Sequence, residues 1–182
     1  MKELSLNILD ITENSVKAGA TLTEIILDEN NESLTLIIKD DGCGMNEKTV
    51  KSVTDPFYTT RTTRKVGLGI PFLKLAAEQT GGSLKIESQV ANENGDLHGT
   101  CVTAVFNKNH LDYTPLGDVT ATVTTLVQGH PDTDFLFIHK KNGGEVSLDT
   151  RQLREILEGV PLDSYEVIKW IEEYLREQYS EL

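Results

Sequence analysis

Cysteine is nearly absent from this sequence. Its two thiols, Cys43 and Cys101, form no CxxC pair, so a disulfide framework is excluded. A single bridge between them is open on sequence grounds, and free thiols in a reducing cytoplasm are the expectation. Basic residues are also scarce. Seventeen Lys and Arg stand against 29 Asp and Glu, a formal charge of −12. Nucleic acid and anionic membrane surfaces are gripped through Lys and Arg patches, so neither is expected as a partner. No apolar run approaches the ~18 residues that cross a bilayer. Met1-Lys2-Glu3-Leu4-Ser5 lacks the basic-then-apolar order of a secretion signal, so a cytoplasmic protein is expected.

What is present suits a folded chain. With 38% hydrophobic and 25% charged residues, the composition is too apolar for disorder, and 182 residues suggest one domain with an appendage. Residues 2–18 read as a helix carrying a polar stripe, Asp10, Asn14 and Lys17, with Gly19 as its left-handed cap. Two strands, 21–28 and 33–39, follow around a hairpin turn. A short helix near 47–53 precedes an aperiodic stretch, 54–66. Gly67-Leu68-Gly69 opens a helix running to Gln79, with Pro71 in its first turn. Strands lie near 83–89 and 100–106. The order α-β-β-α-α-β-β predicts an α/β two-layer sandwich with a mixed or antiparallel sheet.

Beyond residue 107 the character changes. Val119 to Val127 is rich in β-branched residues and reads as a strand. Strands near 135–139 and 146–148 follow. Two helices close the chain: one capped by Asp149 or Thr150 that buries Leu153, Ile156 and Leu157, the other opening at Asp163-Ser164-Tyr165-Glu166 with capping-box spacing. Trp170 and Tyr174 on the latter read either as core residues or as exposed anchors for a partner. The expectation is a domain over 1–107 and an extension over 108–182 that packs on the same sheet.

Nucleotide binding needs backbone N–H donors, a cation and a slot for the base. No GxxxxGK[ST] P-loop exists, and Gly42 and Gly44 lead into Asn46 and Glu47, not into the third glycine of a Rossmann turn. Five ordered segments say more. They are Asp10 to Ala20, Asp40-Asp41-Gly42-Cys43-Gly44-Met45, Asp55-Pro56-Phe57-Tyr58-Thr59-Thr60-Arg61, Gly67-Leu68-Gly69-Ile70, and Gly99-Thr100. Together, over about residues 4–106, they resemble the GHKL ATPases, the Bergerat-fold family of DNA gyrase, chaperone ATPases, sensor histidine kinases and MutL. The first segment is most similar to MutL and the third to the histidine kinases.

The resemblance implies helices on one face of the sheet, and ATP with Mg²⁺ as cofactors. It makes Asn14 the metal ligand and Asp40 the acceptor of the adenine amino group. Gly42 and Gly44 turn the backbone under the base, Met45 pads the pocket, and Thr100 supports it. Lys17 reaches the phosphates. Gly67, Leu68 and Gly69 start a helix whose N–H groups meet phosphate, and Arg61, Arg64 and Lys65 lie where relatives carry a lid. Asp10 stands where hydrolysing relatives place a glutamate that activates water, one methylene shorter. Lys65 stands where many have a leading glycine. Binding of ATP is therefore the firmer expectation, with weak hydrolysis or phosphotransfer to a protein partner. Two other readings stay open: an ATP-controlled protein-binding switch, and a serine/threonine kinase similar to the anti-sigma-factor kinases. The first motif begins within the first turns of the chain, so the expectation is a free-standing module, not a complete sensor kinase.

Overall fold

A computed structural model of the chain describes residues 3–54, 68–91 and 98–182. In chain order these form α1 (Leu4–Lys17), β1 (Leu22–Glu29), β2 (Ser33–Asp40), α2 (Glu47–Val53), α3 (Gly69–Gln79), β3 (Ser83–Gln89) and β4 (Gly99–Asn107). Then come α4 (Val119–Gly129), β5 (Asp134–Lys141), β6 (Gly144–Asp149), α5 (Thr150–Leu157) and α6 (Tyr165–Ser180). The strands make one mixed sheet in the order β3-β4-β2-β1-β5-β6. Every pairing is antiparallel except β1 with β5, which run parallel from Leu22↔Asp134 to Glu29↔Lys141.

Alternation along the strands buries one face. Ile25 and Leu27 on β1, Leu34, Leu36 and Ile38 on β2, Val102, Ala104 and Phe106 on β4, and Phe135 and Phe137 on β5 are all within 3% of full burial. Leu4, Ile8 and Ile11 of α1 close over them. Helix α1 touches α3 on one side and α4 on the other, and α6 packs beyond α4. The result is a two-layer α/β sandwich.

Three expectations about local structure fail. Residues 119–127 form α4, not a strand. Their apolar positions Val119, Val123, Leu126 and Val127 follow the helical period and are buried. Asp118 Oδ1 caps the helix by accepting from Ala121 N–H at 2.9 Å, and the Thr124 and Thr125 hydroxyls donate to the Thr120 and Ala121 carbonyls. Packing of that stripe outweighs β propensity. On α5, Ile156 is 76% exposed, because Thr150 and Leu153 already face the core. The second closing helix begins at Tyr165 with Ser164 in the N-cap place, but no side chain caps it.

A titratable network sits under the end of the sheet away from Asp40. His139 on β5 is 1% exposed; its Nε2 lies 3.0 Å from Glu29 Oε2 and its Nδ1 2.8 Å from the Tyr179 hydroxyl. Burial holds the imidazole pKa below the usual 6.5, and the nearby Glu29 carboxylate opposes that only in part. Burial also disfavours the Glu29 charge, yet the Lys108 ammonium at 2.6 Å and Lys141 hold its pKa low. Because the folded-state pKa of His139 is depressed, its contribution to stability is complete above the unfolded value and is lost as pH falls through the folded one. The melting temperature is therefore expected to fall as the pH is lowered from neutral through the acid range, in part through this residue. His139→Gln, compared with the parent by scanning calorimetry, should flatten that part of the profile.

Candidate nucleotide site

Asp40 ends β2 on the helix-covered face and is 9% exposed. A carboxylate so buried requires hydrogen-bond donors. Its Oδ1 accepts from the Gly42 N–H at 3.0 Å and the Thr100 N–H at 3.2 Å, and its Oδ2 accepts from the Ser15 hydroxyl at 2.7 Å. A carboxylate offers about four lone-pair positions. Three are used, and the open one is on Oδ2.

Ser15 adjoins Asn14 on α1, so a single hydroxyl ties the Asp40 carboxylate to the helix bearing the polar stripe. Asp10 and Lys17 are exposed and Asn14 is half-buried, one and two turns along a common face. Glu13 borders that face: its carboxylate lies 2.7 Å from His130 Nε2 and 3.9 Å from Lys17 Nζ. Helix α3 begins beside the stripe, since a methyl group on Gly69 would come 3.0 Å from Asp10 Cβ. The first N–H groups of α3 have no acceptor within the helix, and Pro71 has none to lose.

The loop after β2 is pinned at both ends. Cys43 N–H donates to the Ala18 carbonyl at 2.9 Å, and His98 Nδ1 lies 2.7 Å from the Gly42 carbonyl oxygen. Asp41 accepts from the N–H groups of Thr21 and Leu22 at 2.7 and 2.9 Å and from the Thr21 hydroxyl. Burial opposes the Asp41 charge, but those donors outweigh it and keep its pKa below the ordinary value. Met45 N–H donates to Ser88 Oγ at 2.7 Å; that hydroxyl also meets the Gly99 carbonyl at 3.0 Å and Thr100 Oγ1 at 2.9 Å. Gly44 and Gly99 hold φ of +68° and +123°, and a methyl group on Gly99 would sit 1.9 Å from the Asp40 carbonyl oxygen.

The family model described as histidine kinase-, DNA gyrase B-, and HSP90-like ATPase matches residues 2–110. The chain belongs to this ATPase family. It is 28% identical over 99 residues to the tetrathionate sensor histidine kinase TtrS of Salmonella typhimurium, and 32% identical over 95 residues to the sensor protein SrrB of Staphylococcus aureus. Those matches cover 54% and 50% of this chain but only 16% of each relative's length. Among solved structures, the MutL ATPase domain of Aquifex aeolicus complexed with ADP shares the fold. It has a TM-score of 0.57 at 15% identity, with 87% of this chain and 70% of that chain covered.

Within this ATPase-family chain, Asp40, Gly42 and Thr100 are joined by direct hydrogen bonds, Met45 is linked to Thr100 through Ser88 with Gly44 beside it, and Gly69 lies against Asp10. Asp10, Asn14 and Lys17 lie on the facing helix, and Leu68 is exposed at the start of α3. Arg61, Arg64, Lys65 and Gly67 fall outside the described residues. Among the described residues no three His, Cys, Asp or Glu side chains gather as a metal cage. Sequence reasoning passed over Ser15, Ser88 and His98. Ser88 left a signal: it follows Leu84 and Ile86 at every second position, a hydroxyl in an inward-facing apolar row. Gly99→Ala is expected to push the Asp40 strand end aside and weaken nucleotide binding by about tenfold, read by calorimetric titration.

Proposed function

We propose that this chain binds ATP with Mg²⁺ in the crease between α1, the Gly42–Gly44 loop and the start of α3. The observation that carries the reading is the buried Asp40 carboxylate, tied through Ser15 to the helix that bears Asn14. An amino group donating to the open position on Oδ2 suits adenine; guanine would bring a carbonyl oxygen there, acceptor against acceptor. Asn14 supplies a neutral oxygen, a donor that fits a hard cation already shared with phosphate oxygens. The bound metal would neutralise phosphate charge. Among the described residues Lys17 is held by a long, 3.9 Å pair with Glu13, so it can swing to a phosphate at small cost. Met45 and Thr100 complete the wall around the base, and Leu68 and Gly69 the phosphate end. Arg61, Arg64, Lys65 and Gly67, outside the described residues, are assigned to the phosphates by the sequence resemblance alone.

Turnover on this reading is slow. Asp10 is the group able to take a proton from water, and its short side chain reaches less far than a glutamate would. Asp10→Asn is expected to lower phosphate release by about 10- to 100-fold while leaving ATP affinity within twofold. The transfer target on this reading is a protein partner, and the setting is the cytoplasm, where Cys43 and Cys101 stay as the free thiols they are here. The deciding experiment is ATP titration with and without Mg²⁺, a GTP control and a phosphate-release assay. Label passing from γ-phosphate to a partner's serine or threonine would make the chain a kinase of the anti-sigma type. Nucleotide-dependent partner capture without label transfer would make it a switch. Equal affinity for ATP and GTP would overturn the Asp40 role.

A further inference from the structure

Helix α6 has two faces. Val167, Ile171 and Leu175 recur at i, i+4 and i+8, are buried, and hold the helix against α4 and β6. The other face carries Trp170 and Tyr174, which are 47% and 36% exposed. Their rings stack on each other, centroids 4.8 Å apart and 11° from parallel. The core does not need this pair, because the three aliphatic residues already fill the inner stripe.

Carboxylates surround the stack. Glu166 precedes Trp170 by one turn, Glu173 follows it by three residues, and Glu177 follows Tyr174 by three, all on that outer face. Lys169 lies 3.7 Å from Glu173, and both are exposed. Among the described residues, Glu166 and Glu177 have no ion-pair partner. Two open aromatic surfaces within one ring of negative charge attract a planar or compact cation, through the ring quadrupoles and the carboxylates together.

We propose that this face of α6 docks a basic segment of a protein partner, with an arginine or lysine seated on the Trp170–Tyr174 stack and its neighbours paired to Glu166, Glu173 and Glu177. Charge chooses the occupant. A second copy of the chain would bring an identical acidic face and a further −12 of net charge, and nucleic acid or an anionic lipid surface would be repelled in the same way. The face lies across α4 from α1, so this docking is separate from nucleotide binding and does not depend on it.

Trp170 is the only tryptophan in the chain and reports directly on the site. The full chain is titrated with a short synthetic peptide carrying arginines along one helical face, and with the same peptide bearing glutamines, while Trp170 fluorescence is followed. The arginine peptide is expected to give a saturable change and the glutamine peptide none. Tyr174→Ala is expected to weaken binding by about tenfold, as is joint replacement Glu166→Gln, Glu173→Gln and Glu177→Gln. Glu32→Gln, Asp132→Asn and Glu145→Gln together, which remove as much charge elsewhere on the surface, should leave it within about twofold. An unchanged circular dichroism spectrum of every variant serves as the folding control. Equal loss in both triple variants would reduce the effect to net charge and overturn the proposal. So would equal competition by spermidine, which assigns a polyamine, or a dimer in sedimentation that Tyr174→Ala dissolves, which assigns a second copy.

Discussion

Asp40→Asn is expected to weaken ATP binding by about 100-fold while the protein stays folded. The amide oxygen can keep the place of Oδ1 and still accept from the Gly42 and Thr100 N–H groups, so the loop and the start of β4 remain anchored. The amide nitrogen then replaces Oδ2. It confronts the Ser15 hydroxyl, which can rotate to accept, and the amino group of the base, which cannot. A donor facing a donor in a buried position loses the hydrogen bond and leaves both groups unpaired, a cost of about 2–4 kcal/mol. Calorimetric titration reads the loss, and an unchanged circular dichroism spectrum excludes unfolding. Retained affinity would mean that the base is held elsewhere.

Asn14→Ala is expected to act through the cation. With Mg²⁺ present, ATP affinity should fall by about 10- to 100-fold; with the metal chelated, parent and variant should bind alike. Asn14 is half-buried on the exposed side of the α1 core stripe, and alanine is the best helix former, so the helix itself loses nothing. The two titrations separate a metal ligand from a residue that merely packs. An equal loss in both conditions would assign Asn14 to direct phosphate contact.

The two-layer α/β sandwich with its mixed sheet was legible in the sequence, and so was the grouping of several residues that the structure gathers at Asp40. Asp40, Gly42 and Thr100 are separated by as many as 60 positions, and it was the resemblance of the motifs carrying them that grouped them; the structure joins all three at the Asp40 carboxylate. Ser15 and Ser88 were not legible. A hydroxyl that bridges elements declares itself only when its partners are in place, and serine occurs on every surface. Helix α4 misled for a different reason. Val119, Val123 and Val127, four apart, satisfy both a two-residue and a three-to-four-residue repeat, and the choice between them was made by the buried surface of α1 and α6, which lies far away in the chain. Ile156 failed likewise: its spacing fits a core stripe, but α5 is too short and too peripheral to bury two sides.

The parallel pairing of β1 with β5 limits how this chain can be divided. A version ended at residue 110, where the family match stops, would strip β1 of the neighbour it meets from Leu22 to Glu29. That strand begins at the Asp41 contact beside the nucleotide loop, so its raw hydrogen-bonding edge would sit within reach of the same loop and recruit strands from other molecules. Anyone producing the nucleotide-binding half alone is expected to recover aggregates, and the remedy is to keep β5 and β6 attached.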